Sequence, residues 1–178
     1  MNYDELIKSW HIKATNEDYF SKFVFEYLAF IAFLKKKKFT DAINDRQAIQ
    51  KLKRDENIRN NYLPKLNSDQ NIKESWTIIK QELDRVPLGN ISGNGLGVEE
   101  LKWWNCSGDQ LTENIDHATS GIIHGLDDWE NMVEFWYSIR NNFFHGGKDP
   151  DNSRDRLLIE NGYKTLCPLV DIFLCEQR

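Results

Sequence analysis

The residues best suited to chemistry lie between Tyr137 and Lys148, in the run YSIRNNFFHGGK. Arg140 falls on a segment that is otherwise strongly apolar on one side, and His145 stands at its end, before Gly146 and Gly147. Asn141 and His145 are four residues apart, so a helix places them on one face. Arg140 sits about 100° around such a helix from Asn141, and the three border one patch. Glycines after His145 let another backbone or a ligand approach closely. The set suits cleavage of RNA without a metal, which must activate a 2′-hydroxyl, neutralise a phosphorane and protonate the leaving 5′-oxygen. A histidine titrating near neutral pH takes or gives the proton. A guanidinium matches two phosphate oxygens at once and stays charged. Asparagine orients the imidazole or bonds a phosphate oxygen. Acid and base roles call for two groups, and a symmetric dimer supplies two His and two Arg in one cleft. The plainer alternative makes Arg140 a helix-surface cation and His145 a C-terminal residue favoured by the helix dipole.

Several features together resemble the HEPN domain family. They are Arg140 followed by four residues and His145, Asn directly after the Arg, and the string RNNFFHGGK. Arg154-Asp155 ahead of an amphipathic C-terminal segment and the aromatic-rich FSKFVFEYLAF add to them. Residues 40–127 carry no part of this resemblance. It implies an all-α, HEPN-like helical bundle whose Arg, polar neighbour and His map onto Arg140, Asn141 and His145. An acidic residue on an early helix sometimes joins the family site, and Glu26 is the accessory candidate here. The activity implied is that of a metal-independent endoribonuclease acting on RNA across a homodimer, of toxin or defence type, with an antitoxin or other complex partner. The alternative implied is a catalytically inactive module that binds a nucleotide or a protein. Neither calls for a cofactor or a metal.

Weaker candidates follow. Lys35 and Lys36, within the run Lys35 to Lys38, and Lys148 are the residues expected to hold an RNA backbone, against a solvated helix end. Trp103-Trp104 either stacks a base or packs under a loop. Asp116-His117, His124 and Asp127-Asp128 raise a metal site, but Gly121 and Gly125 break up the segment and no His-Glu-x-x-His pattern is present. Gly93, Gly95 and Gly97 form a GxGxG run without a following Lys-Ser/Thr, which reads as a loop. Cys106, Cys167 and Cys175 have no neighbouring base in sequence and read as inert thiols.

The elements that position these residues follow from composition and spacing. The chain has 178 residues, 40% hydrophobic, 29% charged and 12% aromatic, which suits a single domain over 1–178 with a real core. A net charge of −5 disfavours coating DNA by bulk charge. Three cysteines with no CxxC pair exclude a disulfide framework and fit a reducing, cytoplasmic setting. The start, MNYDELIKSW, has no signal-peptide pattern, and the most apolar stretch, Phe23 to Leu34, holds Glu26 and is too short to cross a bilayer.

Asn16 to Lys38 is expected as one long central helix capped by Asn16, and Thr40 to about Asn61 as a polar surface helix closed by Leu63-Pro64. Ser68 caps the next helix, whose stripe of Ile72, Trp76, Ile79 and Leu83 is clearly amphipathic, and Pro87 ends it. Residues 88–125 form an irregular Gly-rich insert, with one short helix near Leu111 to Ile123. A helix from Asp127 or Asp128 carries Trp129, Trp136, Ile139 and Phe143, and a last helix runs from Arg154 to Cys175 around Pro168. No strand alternation stands out, so the fold expected is an all-α bundle of about five helices.

Overall fold

In a computed structural model, residues 2–15, 18–91, 100–102, 121–144 and 151–175 are described. They hold seven α-helices rather than about five: α1 (Tyr3–Ala14), α2 (Tyr19–Phe33), α3 (Asp45–Lys53), α4 (Glu56–Ser68), α5 (Gln70–Arg85), α6 (Trp129–Phe144) and α7 (Ser153–Cys175). Among the described residues, no helix is long and apolar enough to cross a membrane. A two-stranded antiparallel ribbon, β1 (Gly89–Ile91) with β2 (Glu100–Lys102), lies inside the stretch expected to be irregular. The short helix expected near Leu111 to Ile123 falls mostly outside the described residues, as does Asn16.

The helix boundaries follow local hydrogen-bond chemistry. Asn2 caps α1, a helix that the sequence reading did not assign, by accepting from the Asp4 amide at 3.1 Å. Asp18 caps α2, accepting from the Phe20 and Ser21 amides. The α2 segment does not run on as one α-helix to Lys38. Residues Leu34–Lys38 widen into a π-helical turn closed by the Phe39 amide on the Leu34 carbonyl at 2.6 Å. The turn distributes four adjacent like charges: Lys35 reaches Asp45, Lys36 lies over the Tyr3 ring, Lys37 reaches Asp4 and Lys38 reaches Asp55.

The expected surface helix over Thr40 to Asn61 is two helices. Asn44 starts α3, and Asp55 starts α4 by accepting from the Ile58 amide at 2.9 Å. Ile49, Leu52 and Ile58 are fully buried, so these helices belong to the core. Pro64 does not close the segment but lies inside α4, where Tyr62 and Leu66 on either side of it are buried. Burial outweighs the one amide bond that proline forfeits. Asp69, rather than Ser68, caps α5.

The stripe of Ile72, Trp76, Ile79 and Leu83 on α5 faces inward as its spacing predicts. Helix α2 packs on α1 and α7, α5 packs on α7, and α3 lies along α6. Gly162 of α7 lets α2 and α6 come close: a Cβ there would stand 3.3 Å from Phe23 and 3.5 Å from Phe135. The centre is aromatic, with Phe33 stacked on Phe173 at 4.1 Å and Trp76 tilted against Trp136 at 5.3 Å.

Polar pins cross this core. The Tyr62 hydroxyl donates to the Thr165 carbonyl at 2.7 Å and accepts from Trp76 Nε1 at 2.9 Å. Trp136 Nε1 donates to Thr165 Oγ1 at 3.0 Å. These bonds fix the rotation of α4, α5, α6 and α7 against one another, and α6 carries the candidate site.

Candidate phosphate-binding site on the sixth helix

Helix α6 is buried over most of its length and emerges near its C-terminal end. Asp128 begins it: its carbonyl accepts from the Met132 amide, and its carboxylate accepts from the His124 amide and the Asn131 side chain, each at 2.8 Å. The acid read from sequence as a metal candidate is thus used in starting a helix. His117 lies outside the described residues.

Arg140 is where α6 turns polar. Its side chain is 29% exposed. Its Cζ lies 4.7 Å from the Phe144 ring centre and 5.6 Å from that of Tyr27, so aromatic faces hold the guanidinium. Nη1 donates to Asn141 Oδ1 at 2.9 Å. Nη2 stands 3.7 Å from Asp45 Oδ2, an ion pair without a hydrogen bond. Burial pushes the Tyr27 phenol well above its ordinary range, against the pull of Arg140, so this wall of the site stays neutral.

The same Asp45 accepts from Lys35 Nζ at 2.9 Å. Lys35 and Arg140, distant in sequence, therefore flank one carboxylate at the N-terminal end of α3, leaving an excess of positive charge. Of the residues read from sequence, the structure brings together Arg140, Asn141 and Lys35. Lys36 turns to Tyr3 on α1 instead. His145 and Lys148 lie outside the described residues, as do Trp103, Trp104, Cys106, Gly93, Gly95 and Gly97.

Next along α6 the charges are committed to structure. Glu134, 1% exposed, takes both oxygens to Arg46 at 2.7 and 2.8 Å and receives Lys53 Nζ at 2.6 Å. Arg46 also lies over the Tyr137 ring at 5.2 Å. These contacts lock α3 to α6 and so set where Asp45 meets Arg140. Asp45, Tyr27 and Phe144 were not singled out in the sequence, since their role comes from tertiary approach.

Glu26 sits elsewhere. It is fully buried and accepts from His11 Nδ1 at 2.8 Å, while His11 Nε2 reaches Asp171 at 3.2 Å. Its partners lie on α1, whereas Arg140 meets α2 at the neighbouring Tyr27. The bonds to Asp171 and then Glu26 raise the His11 pKa to about 10. Burial pushes the Glu26 carboxyl upward against the pull of His11. Burial also pushes the Cys167 thiol up to about 12.

Chemically, the Arg140 site offers a charged, partly exposed fork in contact with two aromatic rings and only loosely paired with an acid. A phosphate can displace Asp45 at the cost of one weak ion pair. Compared with protein-family models, with curated proteins and with solved structures, the chain matches none.

Proposed function

We propose that the chain is a HEPN-type, metal-independent endoribonuclease of toxin or defence type, acting in the cytoplasm as a homodimer. In this reading Arg140 binds the scissile phosphate and Lys35 adds charge beside it. Asn141 holds the guanidinium through its side-chain oxygen. His145, which follows Phe144 directly in sequence, transfers the proton, and a second copy completes the acid–base pair. Glu26 supports the fold around α2 rather than touching phosphate, because its carboxylate is bonded to His11. The observation that carries the reading is the Arg140 guanidinium, 29% exposed between two rings and sharing Asp45 with Lys35.

The experiment is RNA cleavage in excess EDTA by wild type and by His145→Ala, with the mass of each measured by light scattering. Cleavage by wild type and its loss in a variant that remains dimeric supports the reading. Equal cleavage by both removes His145 as the catalyst.

One observation favours the second reading, an inactive module of the same fold. Lys37 and Lys38 are paired with Asp4 and Asp55, and Lys36 covers Tyr3, so most of the basic run is engaged within the fold rather than left to track a polyanion. Absence of RNA cleavage, together with thermal stabilisation by a mononucleotide that Arg140→Ala removes, selects this reading.

A further inference from the structure

A second cluster of chemically capable side chains lies across α1, α2 and α7, away from the Arg140 contacts. His11, Glu26 and Cys167 each offer one ligand atom, and these atoms all lie within 4.8 Å of one another. Zinc bound to sulfur at about 2.3 Å and to nitrogen or oxygen at about 2.0–2.2 Å holds tetrahedral ligands roughly 3.3–3.6 Å apart. Side-chain shifts on the order of 1 Å therefore close the cluster around an ion, without moving a helix.

Two further observations point to a cation there. Glu26 is fully buried, and while one of its oxygens accepts from His11, the other, Oε2, is buried with no hydrogen-bond partner. A buried anionic oxygen without a partner is costly, and a metal bond removes that cost. Meanwhile the far nitrogen of His11, Nε2, lies 3.2 Å from Asp171 Oδ1. A carboxylate on the outer nitrogen is the arrangement that orients a metal-bound imidazole. The ion takes Nδ1 in place of the proton that Nδ1 donates to Glu26, so that proton and the Cys167 thiol proton are released on binding.

We infer that His11 Nδ1, the Glu26 carboxylate and Cys167 Sγ form a binding site for a zinc-class divalent ion, with Asp171 holding the imidazole from outside. The mixed nitrogen, oxygen and sulfur donors fit zinc and select against magnesium and calcium, which take oxygen ligands. Three protein ligands leave a fourth position for water. The ion ties α1 to α2 and α7, so its consequence is stability of the helical frame. The inference goes beyond the nuclease reading and does not depend on it.

The test uses the full chain, stripped with EDTA and then freed of chelator, titrated with Co²⁺ and then with Zn²⁺. The expected result is one Co²⁺ per chain with a thiolate-to-cobalt charge-transfer band, its displacement by Zn²⁺, and a zinc-dependent rise in melting temperature. Cys167→Ala, at a half-buried position, loses the band and the rise while keeping the helical circular dichroism of wild type. Cys175→Ala keeps both. Asp171→Asn leaves the three ligands in place and weakens zinc binding by about 10- to 100-fold. Absence of a thiolate band at saturating Co²⁺, or an identical band in wild type and Cys167→Ala, overturns the inference.

Discussion

Replacing Glu134 with alanine removes the carboxylate that Arg46 and Lys53 share, and their different burial fixes the cost. Arg46 is 25% exposed and can turn toward water, but the Lys53 side chain is 1% exposed and its ammonium sits 2.6 Å from Glu134 Oε2. Removing one partner of a buried pair costs about 3–5 kcal/mol, because the remaining charge keeps its desolvation penalty without the attraction that offset it. Total stability for a domain is about 5–15 kcal/mol, so the loss is a large fraction. At about 2–4 °C per kcal/mol for a chain of this size, the melting temperature should fall by roughly 6–20 °C.

Urea unfolding followed by tryptophan fluorescence measures this, since Trp129 and Trp136 lie on the same helix. The double variant Lys53→Met/Glu134→Leu replaces the buried pair with apolar volume and should return to within about 1 kcal/mol of wild type, or exceed it. A loss below about 1 kcal/mol in Glu134→Ala, or a double variant no more stable than the single one, refutes the claim that charge burial sets this cost.

Three other outcomes follow from the core and its ties. Tyr62→Phe leaves the Trp76 indole N–H buried without its acceptor, and should cost about 1–3 kcal/mol in urea unfolding; Tyr62→Phe/Trp76→Phe should lose less than the two single changes added together. Gly162→Val drives a side chain into Phe23 and Phe135 and should cost about 1–3 kcal/mol, read as a lower melting temperature.

Glu82 accepts from Arg85 and Arg154, which hold its carboxyl below the ordinary value of 4.5. Its contribution to stability is therefore complete above that value and is lost as the pH falls below it. Glu82→Gln should be less stable than wild type at pH 7, and the gap should close as acid unfolding is followed toward pH 2 by circular dichroism.

The fold was legible where the apolar spacing was long and regular. Ile72, Trp76, Ile79 and Leu83 declared α5, and Trp129 to Phe143 declared α6. It was not legible where tertiary burial overrode local signals. Pro64 reads as a stop, but Tyr62 and Leu66 hold the helix through it. Asp55 looks like one polar residue in a polar run, yet it divides α3 from α4 by capping the latter. The run of four lysines reads as a helix end in solvent, and instead each lysine found an acid or a ring on another element.

The site divides the same way. Arg140 and Asn141 stood out because a polar pair interrupts an apolar helix. Asp45 did not, because its meaning depends on Lys35 and Arg140 converging on it. Glu26 was a candidate only through the acidic residue that the resemblance implies on an early helix, and spacing could not show that its partner is His11.

The central claim is that the Arg140 guanidinium binds a phosphate undergoing cleavage. Its most direct measurement is the rate of RNA cleavage in EDTA by wild type, Arg140→Lys and Arg140→Ala at equal protein concentration. The account predicts cleavage by wild type, a loss of about 10²-fold or more for Arg140→Ala, and an intermediate rate for Arg140→Lys, which keeps the charge without the two-pronged geometry. Cleavage by Arg140→Ala at the wild-type rate contradicts it.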